Sequence, residues 1–115
     1  MTTLTDRERV LRTVSEKAWL QQVVELARKT GWLVHHSRSS LMRSGRWATA
    51  LQGAPGLPDL ILVRAPRCLF VELKTQTGKV SDHQQQWLTE LMGCPGVEMY
   101  ILRPGDGARL VELLA

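Results

Sequence analysis

The residues best suited to chemistry stand in two short segments, Gly56-Leu57-Pro58-Asp59 and Glu72-Leu73-Lys74. A carboxylate heads one apolar run; a second carboxylate and a lysine, two apart, close the next. Two carboxylates on neighbouring strands repel unless a positive charge stands between them. A hard divalent ion fits that place: Mg²⁺ uses one or two carboxylates together with waters and phosphate oxygens. Such an ion lowers the pKa of a bound water and shields charge developing on phosphorus. A lysine, as a compact point charge, orients the attacking water or steadies the phosphorane. The chemistry open to this set is therefore phosphodiester hydrolysis. An ordinary hairpin with a Pro-Asp turn and an exposed Glu–Lys pair contains the same residues, so the reading depends on whether the three side chains converge.

Strand geometry makes convergence testable. Side chains two apart in a strand share a face. Glu72 and Lys74 then project together, while Leu69, Val71 and Leu73 form the opposite, core-facing side. A turn centred on 65–67 brings Asp59 opposite either Glu72 or Lys74. Glu16 precedes Leu20, Val23, Val24 and Ala27 at helical spacing, which puts a third carboxylate on the apolar face of a helix and directs it toward the sheet. Taken alone, complementing the helix N-terminus is the commoner reason for a carboxylate there. Gln84, Gln85 and Gln86 open a later helix, where an amide can position a water without adding charge; a solvated face accounts for at least two of them. Trp87 reads as core, and His35 as a strand residue bonded near the site. His35, His36, His83 and the two cysteines lack zinc-ligand spacing.

The elements that must position these groups are legible. Ser15 caps a helix over about 15–30, with Trp19, Leu20, Val23, Val24 and Ala27 at helical spacing and Gly31 as its stop. Trp32–His35 is a first strand. Asp59–Val63 is a second, nearly all apolar and so expected to be buried on both faces. Cys68–Lys74 is a third, giving a hairpin. Ser81 caps a helix over about 82–92; Val97–Leu102 is a fourth strand; residues 107–115 form a short helix. Residues 1–12 are a loose arm or a helical turn begun by Thr5 and Glu8 as a capping box. Residues 37–57 carry no period, and a loop of that length is uncommon unless it works or is disordered.

Size and charge narrow the classes. At 115 residues the chain is one domain, 1–115, with 1–14 as its arm. Fifteen Lys and Arg against eleven Asp and Glu give a net charge of +4, which fits a polyanion partner without demanding one. Cys68 and Cys94 read as reduced thiols in a cytoplasmic protein. No apolar run approaches the ~18 residues of a membrane span, and no signal-peptide pattern opens the chain, so no membrane partner is expected.

Taken together these residues resemble the VRR-NUC family, a branch of the PD-(D/E)xK nuclease superfamily that includes small stand-alone phage and bacterial members. The likeness runs from about Ser15 to Pro104. It is carried by Ser15-Glu16-Lys17, Gly31-Trp32, His35, Gly56-Leu57-Pro58-Asp59-Leu60-Ile61-Leu62-Val63 and Phe70-Val71-Glu72-Leu73-Lys74. Gly78-Lys79-Val80-Ser81, Gln84, Trp87 and the segment Tyr100 to Pro104 complete it. The resemblance implies an α/β, restriction-endonuclease-like core: a mixed four-stranded sheet flanked by helices in the order α-β-β-β-α-β. It implies Asp59 and Glu72 as ligands of Mg²⁺ or Mn²⁺, with the Leu73 carbonyl as a further ligand. It implies Lys74 as the catalytic lysine, Glu16 as an accessory carboxylate within reach of the ion, and Gln84 as the motif glutamine, with Gln85 left open. The expected activity is a metal-dependent DNA endonuclease selective for branched, flap or junction DNA, serving repair, replication or recombination. A catalytically silent DNA-binding module and a nuclease acting on RNA are the rivals. Small solitary relatives resemble dimers, which makes a homodimer an expectation. The loop 37–57 then has two readings of equal weight: Arg38, Arg43 and Arg46 clamp phosphates while Trp47 stacks or wedges and Lys79 adds a further contact, or the loop is a disordered basic segment with Trp47 tucked into the core.

Overall fold

A computed structural model describes residues 3–37 and 53–115, together with the backbone of 40–41 and 47–48. The helices are α1 (Asp6–Thr13), α2 (Glu16–Lys29), α3 (Asp82–Met92) and α4 (Gly107–Leu114), and a 3-10 turn spans Pro104–Asp106. The strands are β1 (Leu33–His36), β2 (Ser40–Leu41), β3 (Trp47–Ala48), β4 (Leu60–Arg64), β5 (Arg67–Leu73) and β6 (Glu98–Leu102). The main sheet has the order β1-β4-β5-β6. β1 and β5 flank β4 antiparallel, and β6 joins β5 in parallel after the crossover through α3. This mixed four-stranded α/β sheet fits a restriction-endonuclease-like core. β2 and β3 pair as a separate antiparallel ribbon inside the segment expected to lack regular structure.

α1, α2 and α3 each begin where a side chain satisfies a free amide. Ser15 Oγ accepts from the Ala18 amide to start α2. Thr5 and Glu8 close a reciprocal capping box, so the N-terminal segment is helical rather than a loose arm. α2 turns Trp19, Val23 and Ala27 onto one face of the sheet, against a core that includes Leu60, Leu62, Leu69, Val71, Leu73 and Leu102, with Leu110 and Leu114 from α4. The Trp19 indole also donates to the Leu102 carbonyl at 3.0 Å, fixing the start of α2 over the ends of β5 and β6.

The other sheet face carries Phe70 and Glu72, and α3 lies over it with Trp87, Leu88 and Leu91 half-buried. That cover is partial. β4 is therefore not buried on both faces: Leu60 and Leu62 are buried, but Val63 is 38% exposed beside an exposed Leu33. An apolar run in the sequence cannot show that one face of its strand is only partly covered.

Candidate active site

The hairpin settles the register. β4 and β5 are joined by two residues, Ala65 and Pro66, and Leu60 pairs with Val71. One step further, Asp59 stands opposite Glu72, not Lys74. Asp59 Oδ2 accepts from the Leu73 amide at 2.9 Å, so the first carboxylate is tied to the strand that carries the second.

The approach to Asp59 is held by α3. Gly56 has φ +96°, and a Cβ there would come within 2.5 Å of the His83 carbonyl carbon and 2.8 Å of the Gln84 nitrogen. Only a residue without a side chain can run this close in this conformation. The Trp87 indole donates to the Pro55 carbonyl at 2.9 Å, and Pro58 is fully buried. The segment before Asp59 is thus clamped between sheet and helix.

Glu72 is 3% exposed. Its Oε1 accepts from Gln84 Nε2 at 3.1 Å, and its buried Oε2 has no hydrogen-bond partner among the described residues. Burial, foremost, pushes this carboxyl up to about 8; the neighbouring Asp59 carboxylate and the charge of Glu16 push the same way, and Lys74 opposes them. A buried carboxylate with a bare oxygen beside a second carboxylate is a place that a cation stabilises.

Gln84 is the glutamine that reaches this acid. Its Oε1 accepts from the Ser81 amide at 2.9 Å while Ser81 Oγ accepts from the Gln84 amide at 3.2 Å. Gln85 instead donates to Thr89. Lys74 follows the last residue of β5, and its amide donates to the Leu102 carbonyl at 3.1 Å. Glu16 stands at the first turn of α2, in helical register with the buried Trp19, Val23 and Ala27. It is exposed, because it is the first residue of α2 and side chains tilt toward a helix's N-terminus, here past the sheet's end. Its charge still bears on Glu72.

His35 is exposed and its ring lies 3.3 Å from Ser37 Oγ. Lys79 is exposed beyond Gly78. Arg38, Arg43, Arg46 and the Trp47 side chain lie outside the described residues. Sequence reasoning missed Arg103. Its Nη1 donates to the carbonyls of Thr75 and Gly78, each at 2.7 Å, in the turn after Lys74. A single arginine at a strand end carries no pattern that would have marked it.

Among the described residues no group of three or more His, Cys, Asp or Glu is gathered closely enough to hold an ion. The donor set is two adjacent carboxylates, which suits a cation completed by water and phosphate oxygens rather than an all-protein cage. No described helix is long and apolar enough to cross a membrane.

A mixed sheet whose hairpin sets an Asp against a buried Glu, with a Lys two residues on, has the arrangement of the PD-(D/E)xK class of nucleases. Comparison with known families makes this specific: the family model described as the VRR-NUC domain matches residues 5–104. The chain belongs to the VRR-NUC family. No curated protein and no solved structure matches it.

Proposed function

We propose that the protein is a Mg²⁺- or Mn²⁺-dependent DNA endonuclease that selects its substrate by backbone shape, with branched, flap or junction DNA as the substrate class. The observation that carries this reading is the buried Glu72, with its bare Oε2 beside Asp59. When bound, a divalent cation supplies an activated water and offsets charge on phosphorus. Asp59 spends one oxygen on the Leu73 amide, so its other oxygen and Glu72 Oε2 are the protein's ligands. The Leu73 carbonyl and Glu16 stand next in line. Gln84 holds the Glu72 carboxylate in place by its second oxygen. Lys74 stabilises charge that develops on the phosphate. Lys79, with Arg38, Arg43, Arg46 and Trp47, grips the flanking backbone, and no base-reading motif is apparent in the sequence. The same reading takes the protein to the cytoplasm, to repair, replication or recombination, and to a homodimer.

The test is incubation with junction, flap, single-stranded and duplex DNA, and with matched RNA, in Mg²⁺, Mn²⁺ or EDTA. Cleavage of branched DNA that EDTA abolishes is the expected result. Binding without cutting identifies a silent DNA-binding module, and preferential cutting of RNA replaces the substrate.

A further inference from the structure

We propose that Arg103 is a positioning residue for Lys74, an inference that rests on the catalytic role just given to that lysine. Lys74 emerges where the ladder of β5 ends, on a flexible four-carbon stem. Gly78 faces that stem: a Cβ built there would stand 3.6 Å from Lys74 Cδ and 2.8 Å from Thr75 Oγ1. The turn therefore folds back beside the lysine stem.

Arg103 holds the turn in place. Its Nη1 donates to the Thr75 and Gly78 carbonyls at 2.7 Å each, and to the Gln76 carbonyl at 3.4 Å. The Gly78 amide closes the turn on the Thr75 carbonyl at 3.2 Å. The arginine is itself fixed. Its amide donates to Asp106 Oδ2 at 2.7 Å, and the Gly105 amide donates to Gln76 Oε1 at 2.9 Å. The two N–H groups of one guanidinium nitrogen thus draw the Thr75 and Gly78 carbonyls of a single turn onto the end of β6, and the side of that turn at Gly78 faces the Lys74 stem. The same link runs on to Ser81 and Gln84, so both groups that act on Glu72 hang from a connection that Arg103 anchors.

The experiment compares Arg103→Ala, Arg103→Lys and Arg103→Gln with Arg64→Ala. Arg64 makes similar bonds, to the carbonyls of Thr30, Leu114 and Ala115, at the opposite end of the sheet. On the best-cleaved DNA, Arg103→Ala lowers kcat about 10–100-fold, the scale of a misplacement near 1 Å, with KM within about threefold. Low millimolar guanidinium restores part of the loss. Arg64→Ala lowers the melting temperature and leaves kcat unchanged. A second readout needs no cleavage. The chain has four lysines, Lys17, Lys29, Lys74 and Lys79, so NMR relaxation of their Cε groups reports Lys74 alone. Its stem is restrained in the wild type and becomes as mobile as that of Lys79 in Arg103→Ala, or in Arg103→Gln should the alanine variant not fold. A wild type that cuts nothing removes the nuclease reading, while the relaxation data still decide the link. Unchanged Lys74 mobility overturns the proposal, as does a raised KM at constant kcat.

Discussion

Glu72→Gln is expected to stabilise the metal-free protein while abolishing its activity. Glu72 is buried, lacks a partner for Oε2 among the described residues, and is pushed from 4.5 to about 8 by burial and by Asp59. Below pH 4.5 the carboxyl is protonated whether the chain is folded or not, and it costs nothing. Between 4.5 and 8 the unfolded chain releases the proton and the folded chain keeps it, so stability falls as pH rises, by about 1.4 kcal/mol per pH unit. Above pH 8 the accumulated loss reaches roughly 4–5 kcal/mol, an upper figure that relaxation and water entry reduce. Glutamine has the same shape, can still accept from Gln84, and can donate to Asp59. Urea denaturation in EDTA should show equal stabilities at pH 4 and the variant more stable by about 2 kcal/mol or more at pH 8.5. Adding Mg²⁺ at a hundredfold excess over its Kd should return about 2.7 kcal/mol to the wild type and much less to the variant. Equal stability at pH 8.5 without metal, or equal stabilisation of both proteins by Mg²⁺, would refute the reasoning.

Three further outcomes are expected. Lys74→Ala should abolish cleavage in Mg²⁺ while DNA binding, read by fluorescence anisotropy, survives; parallel loss of both in a folded variant counts against the role given to the lysine. Gly56→Ala forces a Cβ to within 2.5 Å of the His83 backbone at φ +96° and should cost about 2–4 kcal/mol by thermal denaturation, the sum of backbone strain and overpacking. Gln84→Ala should lower kcat and cost about 1 kcal/mol for the lost cap, whereas Gln85→Ala should change neither activity nor melting temperature by a measurable amount.

Much of this arrangement could be read from residue order because local physics fixes it. The Trp19, Val23 and Ala27 spacing and the Ser15 and Ser81 caps place α2 and α3 within a residue or so of their bounds. The alternation in β5 correctly separates Leu69, Val71 and Leu73 from Glu72. What stayed open depended on distances that sequence does not encode. The partner of Asp59 turned on the length of the turn; Arg67 belongs to β5, and the two-residue link then sets the register. The exposure of Glu16 could not be read either, because a helical face says nothing about where the sheet beneath it ends. Arg103 acts on backbone carbonyls, which every residue possesses, so no partner side chain could announce it.

The capping box of α3 has a consequence for which residues position 84 tolerates. At an isolated helix start, glutamate and glutamine are interchangeable three residues after the cap, since either offers the Ser81 amide an oxygen. Here the cap also dictates polarity: with Oε1 committed to Ser81, the amide must turn its NH₂ to Glu72. Glutamate would serve the helix equally well and set a third anion against the acidic pair. Folding of the first turn of α3 thus chooses, among chemically similar side chains, the one that arrives as a donor.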